Sequence, residues 1–322
     1  MDLKHLQAVV GIAETGSFSA AAAALGTVQS NVSAHVARLE RELEVSLVDR
    51  SSGRLTEEGE VVVARARRML AELDAMVADV VAMRHEVRGN VHLGVIGTTA
   101  RWLVPRLFAQ LRATHPQIRL TVTDGTNSTL EPQLVSGHLD LAVVTMPVQS
   151  DELHATPLFE EDLVLVLPRT HPLARGRTPG ANRQRSRPRA APLPLRVLGE
   201  LELVLPAPGT ALREEIDTAA AGAGVSLRPS MELDGLRMIA SLTFDGHGPS
   251  ILPATAVPAQ LRPEYALLPI EALPPRRVGV ALRMRGLPPA PTRVVIDLLT
   301  ATVEDVAHVP AGLHPSPAPL HR

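Results

Sequence analysis

Apolar residues recur at helical spacing from the start of the chain. Leu3, Leu6, Val9, Val10 and Ala13 fall on one face, and Gly16 ends the run. Ser19 is a candidate N-cap for an alanine-rich helix over 20–25, which Gly26 stops. A third helix is predicted from about 28 to 43. Its Val32, Val36, Leu39 and Leu43 lie within about 40° of one another on an ideal wheel and form an inward stripe. Residues 47–56, LVDRSSGRLT, predict two short strands around a Ser-Ser-Gly turn.

From 57 to 88 the pattern becomes one long helix without proline. Its apolar positions form two seven-residue series, Val62, Met69, Met76, Met83 and Ala66, Leu73, Val80, Val87. Offsets alternating between four and three mark a coiled-coil seam, so Val62, Met69, Leu73, Met76 and Val80 are candidate dimerisation residues. Gly89 and Asn90 end this helix.

Beyond Asn90 strands and helices alternate. Strands are predicted at 91–96, 119–123, 139–144, 163–167, 202–205, 230–233, 267–270 and 278–282. Helices are predicted at 100–114, 129–136, 211–223, 235–243 and 293–305. Near-continuous apolar strands between helices imply a mostly parallel, doubly wound α/β domain. Residues 306–322, with Pro310, Pro315, Pro317 and Pro319, read as a flexible tail. Between 173 and 199 neither period holds, and the stretch carries seven arginines, four prolines and no acid. It is either a surface loop or a cationic arm that touches DNA or RNA polymerase.

Composition narrows the function. With 322 residues, 45% hydrophobic, and a mean hydropathy of +0.10, the chain builds a multi-domain globular protein. There is no cysteine, which excludes disulfides, Cys-ligated zinc, iron–sulfur clusters and thiol nucleophiles. Aromatics at 2% are too few for a platform that stacks on single strands. No apolar run approaches the roughly 18–20 residues that span a bilayer, and MDLKHLQ lacks a signal-peptide pattern. A cytoplasmic protein without a membrane partner is the expectation. G-x-S-x-G, P-loop and G-x-G-x-x-G motifs are missing, so neither catalysis nor a cofactor is expected.

Residues 19–40 form a helix, a glycine turn and a second helix, the arrangement of a helix-turn-helix. Ser30, Ser33, Ala34, Ala37, Arg38 and Arg41 face outward, and Gln29 opens the second helix, the end that reaches base edges in the major groove. A glutamine pairs with adenine through two hydrogen bonds, and serine reads several bases.

Residues 1–59 resemble the N-terminal signature of LysR-type transcriptional regulators. The likeness rests on L-K-x-L, E-x-G-S-F, A-A-x-x-L, Q-x-x-x-S, an L-E pair, L-V-D-R and R-L-T-x-x-G, in order and without a gap. An early L-V-P and G-H-L-D-L-A-V-V resemble that family's effector domain. The resemblance implies a winged helix-turn-helix at 1–58, a linker helix for dimerisation at 59–89, and a two-lobed α/β effector domain at 90–305 similar to type 2 periplasmic binding proteins. Lobe one is expected at 90–166 and 272–305, and lobe two at 167–271 with the Arg/Pro-rich insert at 174–198. Gln29, Ser30, Ser33, Arg38 and, on the wing, Arg54 would then meet double-stranded DNA. Three positions depart from the family pattern: Val28 where a capping serine is usual, Ala34 where a basic or polar residue is common, and His35 beside the apolar stripe.

Open α/β sheets hold ligands at the carboxyl ends of their strands, where helix N-termini point. Thr98, Thr99 and Trp102 follow the first strand, and Thr126 and Asn127 follow the second. Such residues cap helices as a rule, and they also suit a small anion. The resemblance adds Pro206, Phe244 and His247 from lobe two. The whole implies an effector-controlled, DNA-binding homodimer that assembles to a homotetramer and acts on RNA polymerase. A small-molecule-binding protein of periplasmic type without DNA function is the alternative.

Overall fold

The computed structural model describes residues 1–50, 52–83, 87–175, 192–284, 287–305 and 309–316. Helices α1 (Leu3–Thr15), α2 (Phe18–Ala24) and α3 (Gln29–Leu43) pack around Leu6, Val9, Ile12, Val32, Val36 and Leu39. Asp2 caps α1 by accepting from the Lys4 and His5 amides, and Gly16 closes it at φ 77°, a left-handed conformation suited to glycine. The cap of α2 is Ser17, not Ser19: the chain turns extended directly after Gly16, and the Ser17 side chain accepts from the Ala20 amide at 3.1 Å. Val28 stands at the N-cap of α3 with no side-chain bond, and Thr27 Oγ1 instead accepts from Asn31 Nδ2. The two predicted wing strands reduce to one antiparallel bridge, Val48 to Leu55.

Helix α4 (Glu57–Ala82) is capped by Thr56 and carries Glu57, Glu58 and Glu60 in its first turn, where negative charge complements the helix dipole. It ends six residues before the predicted position 88. Val63 and Ala66 are buried in the core of the first three helices, and Val62 is partly buried there, so Val62 and Ala66 serve the chain's own domain. Met69, Met76, Val80 and Met83 are exposed, and Leu73 is partly exposed. The unpartnered stripe therefore starts at Met69.

The remaining chain forms two sheets. Strands β1 (Gly89–Ile96), β2 (Ile118–Gly125), β3 (Leu141–Thr145), β4 (Leu153–Glu161), β10 (Arg276–Arg283) and β11 (Leu313–Pro315) order as β11-β4-β10-β3-β1-β2. Strands β5 (Leu163–Pro168), β6 (Glu202–Pro206), β7 (Arg228–Leu233), β8 (Ser250–Pro253) and β9 (Tyr265–Pro269) order as β7-β6-β8-β5-β9. Helices α5 (Gly97–Thr114), α6 (Asn127–Ser136) and α9 (Ala290–Glu304) belong to the first sheet, α7 (Ala211–Gly222) and α8 (Leu236–Phe244) to the second.

Both sheets are mixed, which corrects the expectation of mostly parallel pairing. Strand β1 runs parallel to β2 and β3, and β6 runs parallel to β7 and β8. The pairings of β4, β5, β9, β10 and β11 are antiparallel, and the chain passes between the sheets from β4 to β5 and back from β9 to β10. Strand β5 pairs with β8 and β9, so the first crossing falls at Asp162 rather than after 166. Leu313 is buried and pairs with Glu161, so part of the expected tail is an edge strand of the first sheet. Leu193, Leu195 and Leu198 of the Arg/Pro-rich insert are buried in the lobe-two core, and its residues 176–191 lie outside the described ones.

Candidate DNA-reading helix and effector cleft

Helix α3 presents Gln29 and Ser30 fully to solvent at its N-terminus, with Ser33 half-buried one turn on. Arg54 is exposed on the wing. Arg38 lies farther along α3 and pairs with Glu42, Nε to Oε1 at 3.5 Å. His35 stacks obliquely near His5, ring centres 5.5 Å apart, and so belongs to the packing against α1.

Sequence reasoning missed Arg50. Its Nη2 donates to Glu40 at 3.1 Å, its Nη1 approaches Ser33 Oγ at 3.5 Å, and its guanidinium lies 5.9 Å from the Phe18 ring centre. Glu40 also accepts from the Leu47 amide at 2.9 Å, tying the recognition helix to the start of the wing. A basic residue inside L-V-D-R, beside the helix-turn-helix, was the available signal. Gly59 shows how tightly these parts meet, because an added Cβ would fall 2.0 Å from the Leu47 carbonyl oxygen.

Between the lobes lies a cleft of about 1120 Å³. Thr98, Thr126 and Asn127 line it from lobe one and Pro206 from lobe two, as expected. Four expected residues do not. Thr99 is fully buried, and Trp102 packs edge-on against Phe159 with centroids 5.8 Å apart. Both sit on flanks of α5 away from the cleft, and among the described residues neither the Thr99 hydroxyl nor the Trp102 indole N–H has a hydrogen-bond partner. Phe244 packs edge-on against Tyr265, whose hydroxyl donates to the Phe244 carbonyl at 2.7 Å. His247 is exposed beyond it. The first turn of α8 faces the cleft, so its last residue sits roughly 12 Å farther along the axis.

Asn127 holds structure more than it offers hydrogen bonds. Its Oδ1 accepts from the Thr145 amide at 3.0 Å, and its Nδ2 donates to the Thr145 carbonyl at 2.6 Å and to Glu131 at 3.1 Å. This pins the start of α6 to the end of β3. Thr126 caps α6 reciprocally with Thr129.

A buried charge pair at the cleft lining was not predicted. Glu161 is fully buried where β4 leaves lobe one, and Arg276, 7% exposed, enters β10 beside it. Arg276 Nε donates to Glu161 Oε1 at 2.8 Å, and its Nη2 bonds both Glu161 and, at 2.9 Å, Thr98 Oγ1. The other Glu161 oxygen accepts from the Thr255 hydroxyl at 2.6 Å, which brings lobe two into the same network. Charged residues next to an apolar strand, as in Glu160-Glu161-Asp162, were the only trace in the sequence.

A helix-turn-helix with a wing, joined by a long helix to a two-lobed α/β domain around a cleft, defines a DNA-binding regulator with an effector domain. Residues 3–60 match the family model of the bacterial regulatory helix-turn-helix protein, lysR family, and residues 84–304 match the LysR substrate binding domain. The chain belongs to the LysR family of transcriptional regulators, which are not enzymes, and which bind DNA and effectors and form oligomers. It is 30% identical over 309 residues to a probable hydrogen peroxide-inducible genes activator of Mycobacterium leprae, covering 94% of this chain and 95% of the relative. It also resembles a solved full-length cysteine variant of OxyR from Pseudomonas aeruginosa, with a TM-score of 0.73, 25% identity and 94% coverage of each chain. The structure of CbnR complexed with its target DNA shares the fold at a TM-score of 0.64 and 21% identity, covering 94% of this chain and all of that one (100%).

Among the described residues no helix is long and apolar enough to cross a membrane.

Proposed function

We propose that this chain is a transcription factor that reads its operator through Gln29, Ser30 and Ser33, grips it through Arg54, and is set by a small molecule held without covalent chemistry between its lobes. The observation that carries the reading is the cleft itself, walled by both lobes and tied at its base by the Arg276–Glu161–Thr98 network. A ligand that fits one lobe arrangement better than another shifts the balance between them, with a coupling of typically about 1–3 kcal/mol. The Mycobacterium leprae relative is a probable hydrogen peroxide-inducible genes activator, yet this chain has no cysteine, so a thiol cannot be its sensor.

Two copies pair along the exposed Met69, Met76 and Val80 stripe, and pairs of dimers form a tetramer over adjacent DNA sites. Met69, Leu73, Met76 and Val80 keep their proposed role, whereas Val62 serves the first domain's own core. RNA polymerase is the further partner of a factor that works on the chromosome in the cytoplasm. A gel shift with the DNA upstream of the gene tests the reading. The full chain should retard that fragment and not a scrambled one; equal retardation of both would overturn it.

A further inference from the structure

The charge of the effector cleft is unevenly balanced. Among the described residues two guanidiniums line it, and both are engaged: Arg237 with Asp124 at 2.5 Å, and Arg276 with Glu161. Glu131, a further carboxylate of the lining, is buried and among the described residues accepts from neutral donors alone, the Asn127 amide group and the Gln149 backbone N–H at 2.9 Å. From lobe two, Glu214 and Glu215 on α7 and Asp234 before α8 also line the cleft, with no hydrogen bond or ion pair among the described residues. Glu215 is half-buried.

An anion, the ligand that hydroxyls at helix starts suggested, would meet among the described lining residues no free cation, two carboxylates without a partner, Glu214 and Asp234, and a third, Glu215, offset only by the guanidinium of Arg276, which is itself bonded to Glu161. A compact metal ion fits no better, because among the described residues no group of three or more His, Asp or Glu side chains is placed to hold one. The positive charge the cleft lacks must be spread over a longer molecule.

We propose that the effector is an organic cation, an amine-bearing small molecule whose charged ends meet Glu214, Glu215 and Asp234 on lobe two. Its other hydrogen-bonding groups face Thr126 and Ser128 on lobe one. The inference rests on reading the cleft as the effector site; the carboxylates do not make the site, they set the charge of what enters it. Burial pushes the Glu215 carboxyl above the usual range despite the nearby charge of Arg276, and a bound ammonium would draw it back down.

Isothermal titration of the full chain at physiological ionic strength, where loose surface attraction is screened, tests the charge class. The probes are 1,4-diaminobutane and spermidine, against succinate, a dianion with the same number of carbons as the diamine. The amines should bind and succinate should not. Glu215→Gln should weaken amine binding by about tenfold or more. Glu264→Gln, at an exposed site outside the cleft, should leave it unchanged. Tighter binding of succinate, no amine binding, or amine binding indifferent to Glu215→Gln would each overturn the proposal. Succinate binding that Thr126→Ala weakens would overturn the charge class while leaving the cleft as the effector site. Failure of the DNA-retardation assay falls on the proposed function instead.

Discussion

Removing the Glu161 carboxylate should unsettle the effector domain more than any exposed charge change. Glu161 is fully buried and Arg276 nearly so, and Arg276 gives it two of its hydrogen bonds. Glu161→Leu leaves the guanidinium buried with Thr98 Oγ1 as its one remaining hydrogen-bond partner among the described residues, and removes the acceptor of the Thr255 hydroxyl and amide. Breaking a buried pair in this way costs about 3–5 kcal/mol. For a domain of this size each kcal/mol lowers the unfolding midpoint by roughly 2–4 °C, so a fall of roughly 6–20 °C is expected. Pairing the change with Arg276→Met replaces both charges by apolar side chains. It should recover much of the loss, short of the roughly 1 kcal/mol for each threonine hydroxyl left unbonded. Trp102 is the only tryptophan and packs on Phe159 in lobe one, so its fluorescence follows this unfolding. If Glu161→Leu costs less than about 1 kcal/mol, or the double variant loses the sum of the single losses, the pair is not coupled and the reasoning fails.

Other outcomes follow from single contacts. Gly59→Ala places a Cβ 2.0 Å from the Leu47 carbonyl and should cost the N-terminal domain about 2 kcal/mol or more, read by urea unfolding. Met76→Glu, at 58% exposure on the α4 stripe, should shift the chain toward monomer in sedimentation without lowering the monomer's stability; an unchanged oligomer would remove the stripe from the dimer. His92 is held above its usual range chiefly by its hydrogen bond to Asp140. That pairing is strongest while His92 is protonated, so its stabilisation is full below about pH 6.5 and is lost as pH rises through the raised folded value. His92→Gln should therefore narrow the difference in urea midpoint between pH 6 and pH 8, and an unchanged difference would dismiss the pair.

Periodicity exposed the elements that repeat it. Helix α3 and the strands β1, β3 and β5 were legible because one continuous set of apolar side chains enters each core. Strand β4 was not, since its half-exposed H-A-T-P stretch breaks alternation, and β11 is three residues long. Helix caps were legible only to within two residues, as Ser17 and Ser19 show. Thr98, Thr126 and Pro206 reach the cleft because strand ends and helix starts are marked locally. Phe244 and His247 failed for want of direction: nothing local says which end of α8 points inward. The Glu161–Arg276 pair joins residues 115 positions apart, and no local pattern records such a meeting.

The central claim is that sequence reading sits at the N-terminus of α3. Binding of the full chain to its upstream DNA and to a scrambled fragment, measured by fluorescence anisotropy for wild type, Gln29→Ala and Arg54→Ala, tests it most directly. Loss of a base contact worth about 1–3 kcal/mol should cut the preference of Gln29→Ala for its own site by roughly 5–150-fold. Arg54→Ala should weaken binding to both fragments alike and flatten the dependence on salt. Gln29→Ala with unchanged affinity and unchanged preference would contradict the account.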